Sequence, residues 1–235
     1  NGEKISVVTC YDYTSARLVN NTRVDALLVG DSLAMTMYGE KSTLPATVEQ
    51  MSLHTAAVAR GAPDKFIIGD LPFLSYRISI TENIKSIASL MRAGAHAVKL
   101  EGVCGNESLI QHTVESGVPV MGHLGLTPQS VNQLGGFRVQ GRTSDQAKLI
   151  LDGAKTLEKC GCFSVVLECV PTSLAKQISE ELSIPTIGIG AGPDTDGQVL
   201  VWQDMLGLNT DFRPKFVRQY LNGGELFSSA LNQFA

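Results

Sequence analysis

Four apolar runs in this sequence each break into an acid. Leu27-Leu28-Val29-Gly30 leads into Asp31, and Phe66-Ile67-Ile68-Gly69 leads into Asp70. Ala97-Val98-Lys99-Leu100 leads into Glu101, and Val165-Val166-Leu167 leads into Glu168. A short β-branched run of this kind is the signature of a buried parallel strand. The acid at its end then stands on the rim of the sheet. One such acid is commonly the N-cap of the following helix. Four of them point to strands that share a rim on which carboxylates converge. Two Asp with no neighbouring Cys or His suit a hard cation such as Mg²⁺, which takes one or two carboxylates and fills its shell with water and substrate oxygens. The same two residues would equally serve as helix caps or as half of a buried ion pair. The Gly before each Asp allows a sharp turn or a close approach to a ligand.

The remaining polar residues of these segments offer acid–base and anion chemistry. Lys99 and Glu101 are two apart on a strand and share a face, with Val98 and Leu100 on the other. Inside a sheet they must be paired or used, because an unpartnered buried charge is costly. A Lys near a metal could hold an anion or a developing oxyanion, and a structural ion pair is the alternative. His123 closes the run Val118–His123 and is either a hydrogen-bonded core residue or part of the site. Burial of Glu168 would raise its pKa and make it a better base near neutrality. Cys169 falls on the opposite face and reads as core. Ile187-Gly188-Ile189-Gly190-Ala191-Gly192 superficially resembles a phosphate loop, but Pro193-Asp194-Thr195-Asp196-Gly197 follows where a helix should open. Those glycines are expected to let backbone approach backbone or a ligand.

The elements that must carry these residues alternate regularly. Strands are expected at Ile5–Cys10, Val24–Gly30, Phe66–Gly69, Ala97–Glu101, Val118–His123, Cys162–Glu168, Pro185–Gly190 and Val199–Gln203. Helices are expected at Thr14–Asn21, Thr47–Arg60, from the Ser79–Glu82 capping box to Gly94, and at Glu107–Ser116, Asp145–Lys159 and Ser173–Leu182. Two C-terminal helices, Lys215–Leu221 and Glu225–Phe234, follow. The glycine-rich, basic, aperiodic stretch Leu134–Arg142 reads as a mobile flap. Eight strands alternating with helices mean a (β/α)8 barrel or a doubly wound sheet, and the count favours the barrel. No linker divides the chain, so residues 1–235 read as one barrel domain.

Bulk composition narrows the function. With 235 residues and 43% hydrophobic content, the chain can build a sizeable core. A net charge of −4, no basic stripe and 6% aromatics argue against nucleic acid or an anionic membrane as partner. The longest apolar runs are strand-sized, well short of a membrane span. The five Cys are scattered and read as reduced thiols, with Cys160 and Cys162 structural and buried.

Taken together, these segments resemble the ketopantoate hydroxymethyltransferase family nearly end to end. The resemblance rests on Thr9-Cys10-Tyr11-Asp12-Tyr13, Leu28-Val29-Gly30-Asp31-Ser32-Leu33, Ser42-Thr43-Leu44-Pro45, Gly69-Asp70-Leu71-Pro72-Phe73 and Val98-Lys99-Leu100-Glu101-Gly102. It continues through Gly122-His123-Leu124-Gly125-Leu126-Thr127-Pro128-Gln129-Ser130, Gly135–Arg142, Leu167-Glu168-Cys169-Val170-Pro171 and Ile187–Gly192, in that order. It implies a (β/α)8 TIM barrel of the phosphoenolpyruvate-mutase/isocitrate-lyase type. The implied reaction passes a hydroxymethyl group from the co-substrate 5,10-methylenetetrahydrofolate to 3-methyl-2-oxobutanoate, on the pantothenate pathway. The resemblance further implies a cytoplasmic homo-oligomer, commonly a decamer, with Asp31, Asp70 and Glu101 around Mg²⁺. By the same resemblance Ser32 and Lys99 contact the keto acid, together with Asp31, Asp70 and His123 at the substrate, and Glu168 is the base. Glu101 could act through a water or by orienting Lys99. Ala34 stands where the family usually has Gly. The second reading is another Mg²⁺-dependent α-keto-acid lyase or mutase of the same barrel type. Such enzymes commonly use a Cys in a Gly-rich loop, and the flap here has none.

Overall fold

In the computed structural model, which describes residues 3–235, eight parallel strands close into a barrel in sequence order. They are β1 (Ile5–Thr9), β2 (Ala26–Val29), β3 (Phe66–Asp70), β4 (Ala97–Glu101), β5 (Val120–Gly125), β6 (Ser164–Glu168), β7 (Thr186–Ile189) and β8 (Gly197–Leu200). The ring is sealed by β8 pairing with β1, Val7 opposite Val199. The helices are α1 (Tyr13–Asn20), α2 (Leu33–Tyr38), α3 (Val48–Gly61), α4 (Ile80–Arg92), α5 (Glu107–Glu115), α6 (Val131–Leu134), α7 (Ser144–Lys159), α8 (Thr172–Glu181), α9 (Trp202–Met205) and α10 (Gly223–Phe234).

Alternation along each strand divides the apolar residues into two clusters. Val7, Ala26, Leu28, Ile68, Ala97, Met121, Val166, Ile187 and Val199 point inward and fill the barrel. The other face, including Leu27, Val29, Ile67, Val98, Leu100, Val165 and Leu167, packs beneath the helices. A plug of aliphatic side chains therefore closes the lower barrel. The polar inward residues one layer higher have only one open side, the rim at the C-terminal strand ends. Gly69 belongs to the outer face: a Cβ there would sit 3.4 Å from Leu90 and Ala95, so the glycine serves the seat of α4 rather than approach to a ligand.

The helix starts follow their caps. Asp12, Thr47, Ser79 and Thr143 each accept a backbone N–H of the first turn, and Thr47 with Gln50 completes a capping box. Three expectations need correction. The segment Lys215–Leu221 is not a helix. Tyr220 N–H goes to Met205 O and Arg213 Nη2 to Val217 O, so tertiary partners replace the i−4 ladder that a seven-residue segment cannot sustain alone. The eighth strand spans Gly197–Leu200, earlier than Val199–Gln203, because Trp202 N–H turns aside to Thr9 Oγ1 and opens α9. Helices α2 and α6 lie in stretches for which no element was expected, and α6 ends on the first residue of the flap, capped by Gly135 in the left-handed region. The rest of the flap, 136–142, is irregular and mostly exposed.

Candidate active site

The strand ends bring every residue singled out in the sequence to one cavity. Asp31, Ser32, Asp70, Lys99, Glu101, His123 and Glu168 all line it, with Thr43, Phe137 and an apolar wall that includes Leu28, Val166, Ile189 and Val199. The sheet register sets their neighbours. Asp70 stands opposite Lys99, Glu101 opposite His123, and Glu168 opposite Gly125 and Ile189. Asp31, Asp70, Lys99, Glu101 and His123 are buried, whereas Glu168 is half-buried and open to the cavity.

The charges interlock. Lys99 Nζ lies 2.7 Å from Asp70 Oδ1, 4.0 Å from Glu101 Oε1 and 3.5 Å from His123 Nδ1. His123 Nδ1 is 3.5 Å from Glu101 Oε1, and Nε2 is 3.3 Å from Glu168 Oε2. Burial opposes the charge on Lys99, but Asp70, Glu101 and Asp31 outweigh it and hold the ammonium above the ordinary lysine value. Burial and the Lys99 charge oppose protonation of His123 as well. The carboxylates at its two nitrogens win and push its pKa up to about 9. Burial raises Asp31 well above the usual carboxylate range, reinforced by Asp70 and Glu101. Burial also raises Asp70, with Lys99 opposing. Glu101 goes the other way, because His123, Lys99 and the Gln129 N–H overcome its burial. Ionised together, the four acids exceed Lys99 and protonated His123 by two negative charges.

Asp31 and Asp70 are the pair that fits a divalent cation. Asp31 backbone N–H donates to Asp70 Oδ2 at 3.1 Å, which ties the Asp70 carboxylate to the backbone at Asp31. The Lys99 contact to Asp70 Oδ1 is off the line of a hydrogen bond, so Oδ1 is buried without an aligned donor. Among the described residues no donor reaches Asp31 Oδ1. Two carboxylates, each with one oxygen lacking an aligned hydrogen-bond donor, and an excess of negative charge match the open coordination that Mg²⁺ keeps for water and substrate. Among the described residues no set of three His, Cys, Asp or Glu is arranged to enclose an ion. Glu101 Oε2 accepts Gln129 N–H at 3.0 Å, and Oε1 is turned to His123 and Lys99.

Other residues complete the site without having been singled out by sequence reasoning. Tyr11 is buried and its hydroxyl is 2.8 Å from Ser32 Oγ, with Tyr11 itself fixed by His54 against its carbonyl. Gly30 makes room for this arrangement, since a Cβ there would lie 2.9 Å from Ser32 Oγ. Thr43 presents a buried hydroxyl with no partner at the cavity. Gln129 and Tyr76 form a buried link behind Asp31 and Glu101. The glycines of the Gly188–Gly192 run seat neighbouring side chains, Gly188 against Thr195, Gly190 against Phe216 and Gly192 against Thr172, while Ile189 between them faces the cavity. All five Cys are free thiols, and burial pushes Cys169 up to about 11, away from a nucleophile's range.

Comparison with known proteins agrees with this geometry. The family model described as ketopantoate hydroxymethyltransferase matches residues 1–235. The 3-methyl-2-oxobutanoate hydroxymethyltransferase of Bdellovibrio bacteriovorus is 61% identical over 232 residues, covering 99% of this chain and 88% of the relative. That of Francisella tularensis subsp. novicida is 57% identical over 234 residues, covering 100% of this chain and 88% of the relative. Among solved structures, 2,3-dimethylmalate lyase, a PEP mutase/isocitrate lyase superfamily member, superposes with a TM-score of 0.65 at 16% identity, covering 99% of this chain and 91% of the other. Phosphonopyruvate hydrolase in complex with oxalate and Mg²⁺ gives 0.67 at 9% identity, covering 99% and 81%. The last two matches establish the barrel type. The match along the full length at high identity establishes more: the chain belongs to the ketopantoate hydroxymethyltransferase family.

Proposed function

We propose that this enzyme transfers a hydroxymethyl group from 5,10-methylenetetrahydrofolate to 3-methyl-2-oxobutanoate, giving 2-dehydropantoate for pantothenate biosynthesis. The observation that carries the reading is the seating of Asp31, Asp70, Lys99 and Glu168 around one cavity at the C-terminal rim of the barrel. Asp31 and Asp70 would hold Mg²⁺, which supplies Lewis-acid stabilisation of the negative charge that develops when C3 of the keto acid is deprotonated. Ser32 and Lys99 hold the substrate carboxylate and fix the reacting carbon in place. Glu168, open to the cavity, takes the C3 proton. His123 lies 3.3 Å from it and keeps its own proton at neutral pH, so a positive charge stands beside the base. The resulting carbanion bonds to the folate-borne methylene, the methylene–nitrogen bonds break, and water supplies the hydroxyl. The apolar wall of Leu28, Val166, Ile189 and Val199 suits the branched alkyl end of such a substrate. Homo-oligomeric assembly and a cytoplasmic setting belong to the same reading. The exposed apolar face of α10, with Phe227 and Leu231, offers a surface for contact between copies, and among the described residues no helix is long and apolar enough to cross a membrane.

The test is deuterium exchange at C3 of 3-methyl-2-oxobutanoate, followed by NMR with Mg²⁺ and without folate, for wild type and Glu168→Gln. The expected result is metal-dependent exchange in the wild type that falls at least about a hundredfold in the variant, the scale of a lost general base. Exchange that survives in Glu168→Gln moves the base to another residue.

A further inference from the structure

Gln129 joins the strand ends that carry the acids. It lies just after Pro128 in the 3₁₀ turn that follows β5, and it is 5% exposed. Its backbone N–H, one of the donors a helical turn leaves free at its start, bonds to Glu101 Oε2 at 3.0 Å. Its Nε2 donates at 2.9 Å to Asp31 Oδ2 and at 2.9 Å to Leu71 O, the carbonyl just past Asp70. Its Oε1 accepts the Tyr76 hydroxyl at 2.7 Å. The orientation of the amide is fixed, because a carbonyl such as Leu71 O can only accept. Three strand ends thus meet on one residue, two of them on its side chain, 98 residues along the chain from Asp31.

We infer that Gln129 is the positioning residue for the divalent cation: by engaging Asp31 Oδ2 it aims Asp31 Oδ1 at the cation and sets the spacing of Asp31 from Asp70. The inference rests on the reading that Asp31 and Asp70 hold Mg²⁺. Without the Nε2 donor, Asp31 would be free to turn and to lean on its own backbone or on water. A ligand that must be re-aimed on binding holds metal less tightly, and loss of the partner behind a ligand typically costs about 10–100-fold in metal affinity. Tyr76 acts one step further back. Its hydroxyl pins Oε1, and it also stands 3.3 Å from Glu101 O. Tyr76 and Gln129 therefore brace the cation site from the β3 and β5 sides.

The test is calorimetric titration of the whole enzyme with Mg²⁺ alone, for wild type, Asp70→Asn, Gln129→Met and Tyr76→Phe, with thermal midpoints measured in parallel. Gln129→Met keeps the length of the side chain and the backbone bond to Glu101 and removes only the amide. Its Mg²⁺ dissociation constant is expected to rise about tenfold or more, and that of Tyr76→Phe about threefold. At Mg²⁺ far above the raised constant, C3 exchange by Gln129→Met is expected to return to within a few-fold of wild type. An unchanged Mg²⁺ constant in Gln129→Met, whatever its thermal midpoint, would leave Gln129 a structural tie and overturn the inference. If Gln129→Met does not fold, an unchanged constant in Tyr76→Phe overturns it instead. Failure of the reading beneath it looks different: Asp70→Asn would then bind Mg²⁺ as the wild type does, or the wild type would not bind it.

Discussion

At the scale of single residues, the four acids and Lys99 were legible because each ends or sits in an apolar run, a local pattern. Their partners were not. Tyr11, Tyr76 and Gln129 reach their targets across 21, 53 and 98 residues of chain, and no local spacing announces such a contact. Tyr11 shows what the omission costs. Its ring is buried in the core, burial pushes its hydroxyl up to about 12, and the hydroxyl stays a neutral donor or acceptor to Ser32 throughout the working pH range. The Ser32 hydroxyl, proposed to contact the keto acid, must be aimed, and a buried Tyr whose carbonyl is held by His54 aims it. Tyr11→Phe removes one hydrogen bond, worth about 0.5–1.5 kcal/mol. The expected result is a KM for the keto acid raised about 2–10-fold with kcat nearly unchanged, measured by steady-state kinetics. A fall in kcat at unchanged KM would place Tyr11 in the chemical step instead.

At the scale of elements, periodicity located all eight strands and seven of the helices, and it failed where tertiary contacts overrule local pattern. The Lys215–Leu221 stretch carries helix-forming residues, yet its backbone is captured by α9 and by Arg213. The short helices α2 and α6 went unseen because four to six residues give no period to read. The register, which decides the chemistry, could not be read at all: nothing local says that Asp70 faces Lys99 or that Glu101 faces His123. Gly125 marks one place where element geometry governs the site. It ends β5 with φ +93°, opposite Glu168, and a Cβ there would run into the Glu168 carbonyl. The same carbonyl accepts Leu126 N–H at 2.8 Å and so ties the β5 exit to β6. Gly125→Ala therefore meets both a left-handed backbone and a clash, of order 1–3 kcal/mol for the backbone alone. The expected outcome is a lowered thermal midpoint together with a loss of C3 exchange larger than the unfolded fraction explains, because β6 and Glu168, the proposed base, must shift. Full exchange activity per folded molecule would show that Glu168 tolerates the displacement.

At the scale of the whole molecule, a closed barrel with an apolar plug concentrates its buried charge in one layer, so the pH dependence of stability is written there. His123 binds its proton more tightly folded than unfolded, with a pKa near 9 against 6.5 for the free side chain. Below about pH 6.5 both states are protonated, and the ion pairs with Glu101 and Glu168 contribute in full. Between about 6.5 and 9 the unfolded chain has already released the proton that the folded chain retains, so each step up in pH favours unfolding. Above about 9 the contribution is gone. Thermal midpoints measured across pH 6 to 10 are thus expected to fall by several degrees over this window in the wild type, and to be markedly flatter in His123→Gln. Asp31, raised well above its ordinary value, weakens stability in the same direction as it ionises. Mg²⁺, held by Asp31 and Asp70 as proposed, favours their ionised forms and so opposes the Asp31 contribution, while the His123 fall between about pH 6.5 and 9 should stay in place. A profile equally steep in His123→Gln would mean that the imidazole is neutral in the folded protein and that Glu101 and Glu168 draw their stability from Lys99 and solvent instead.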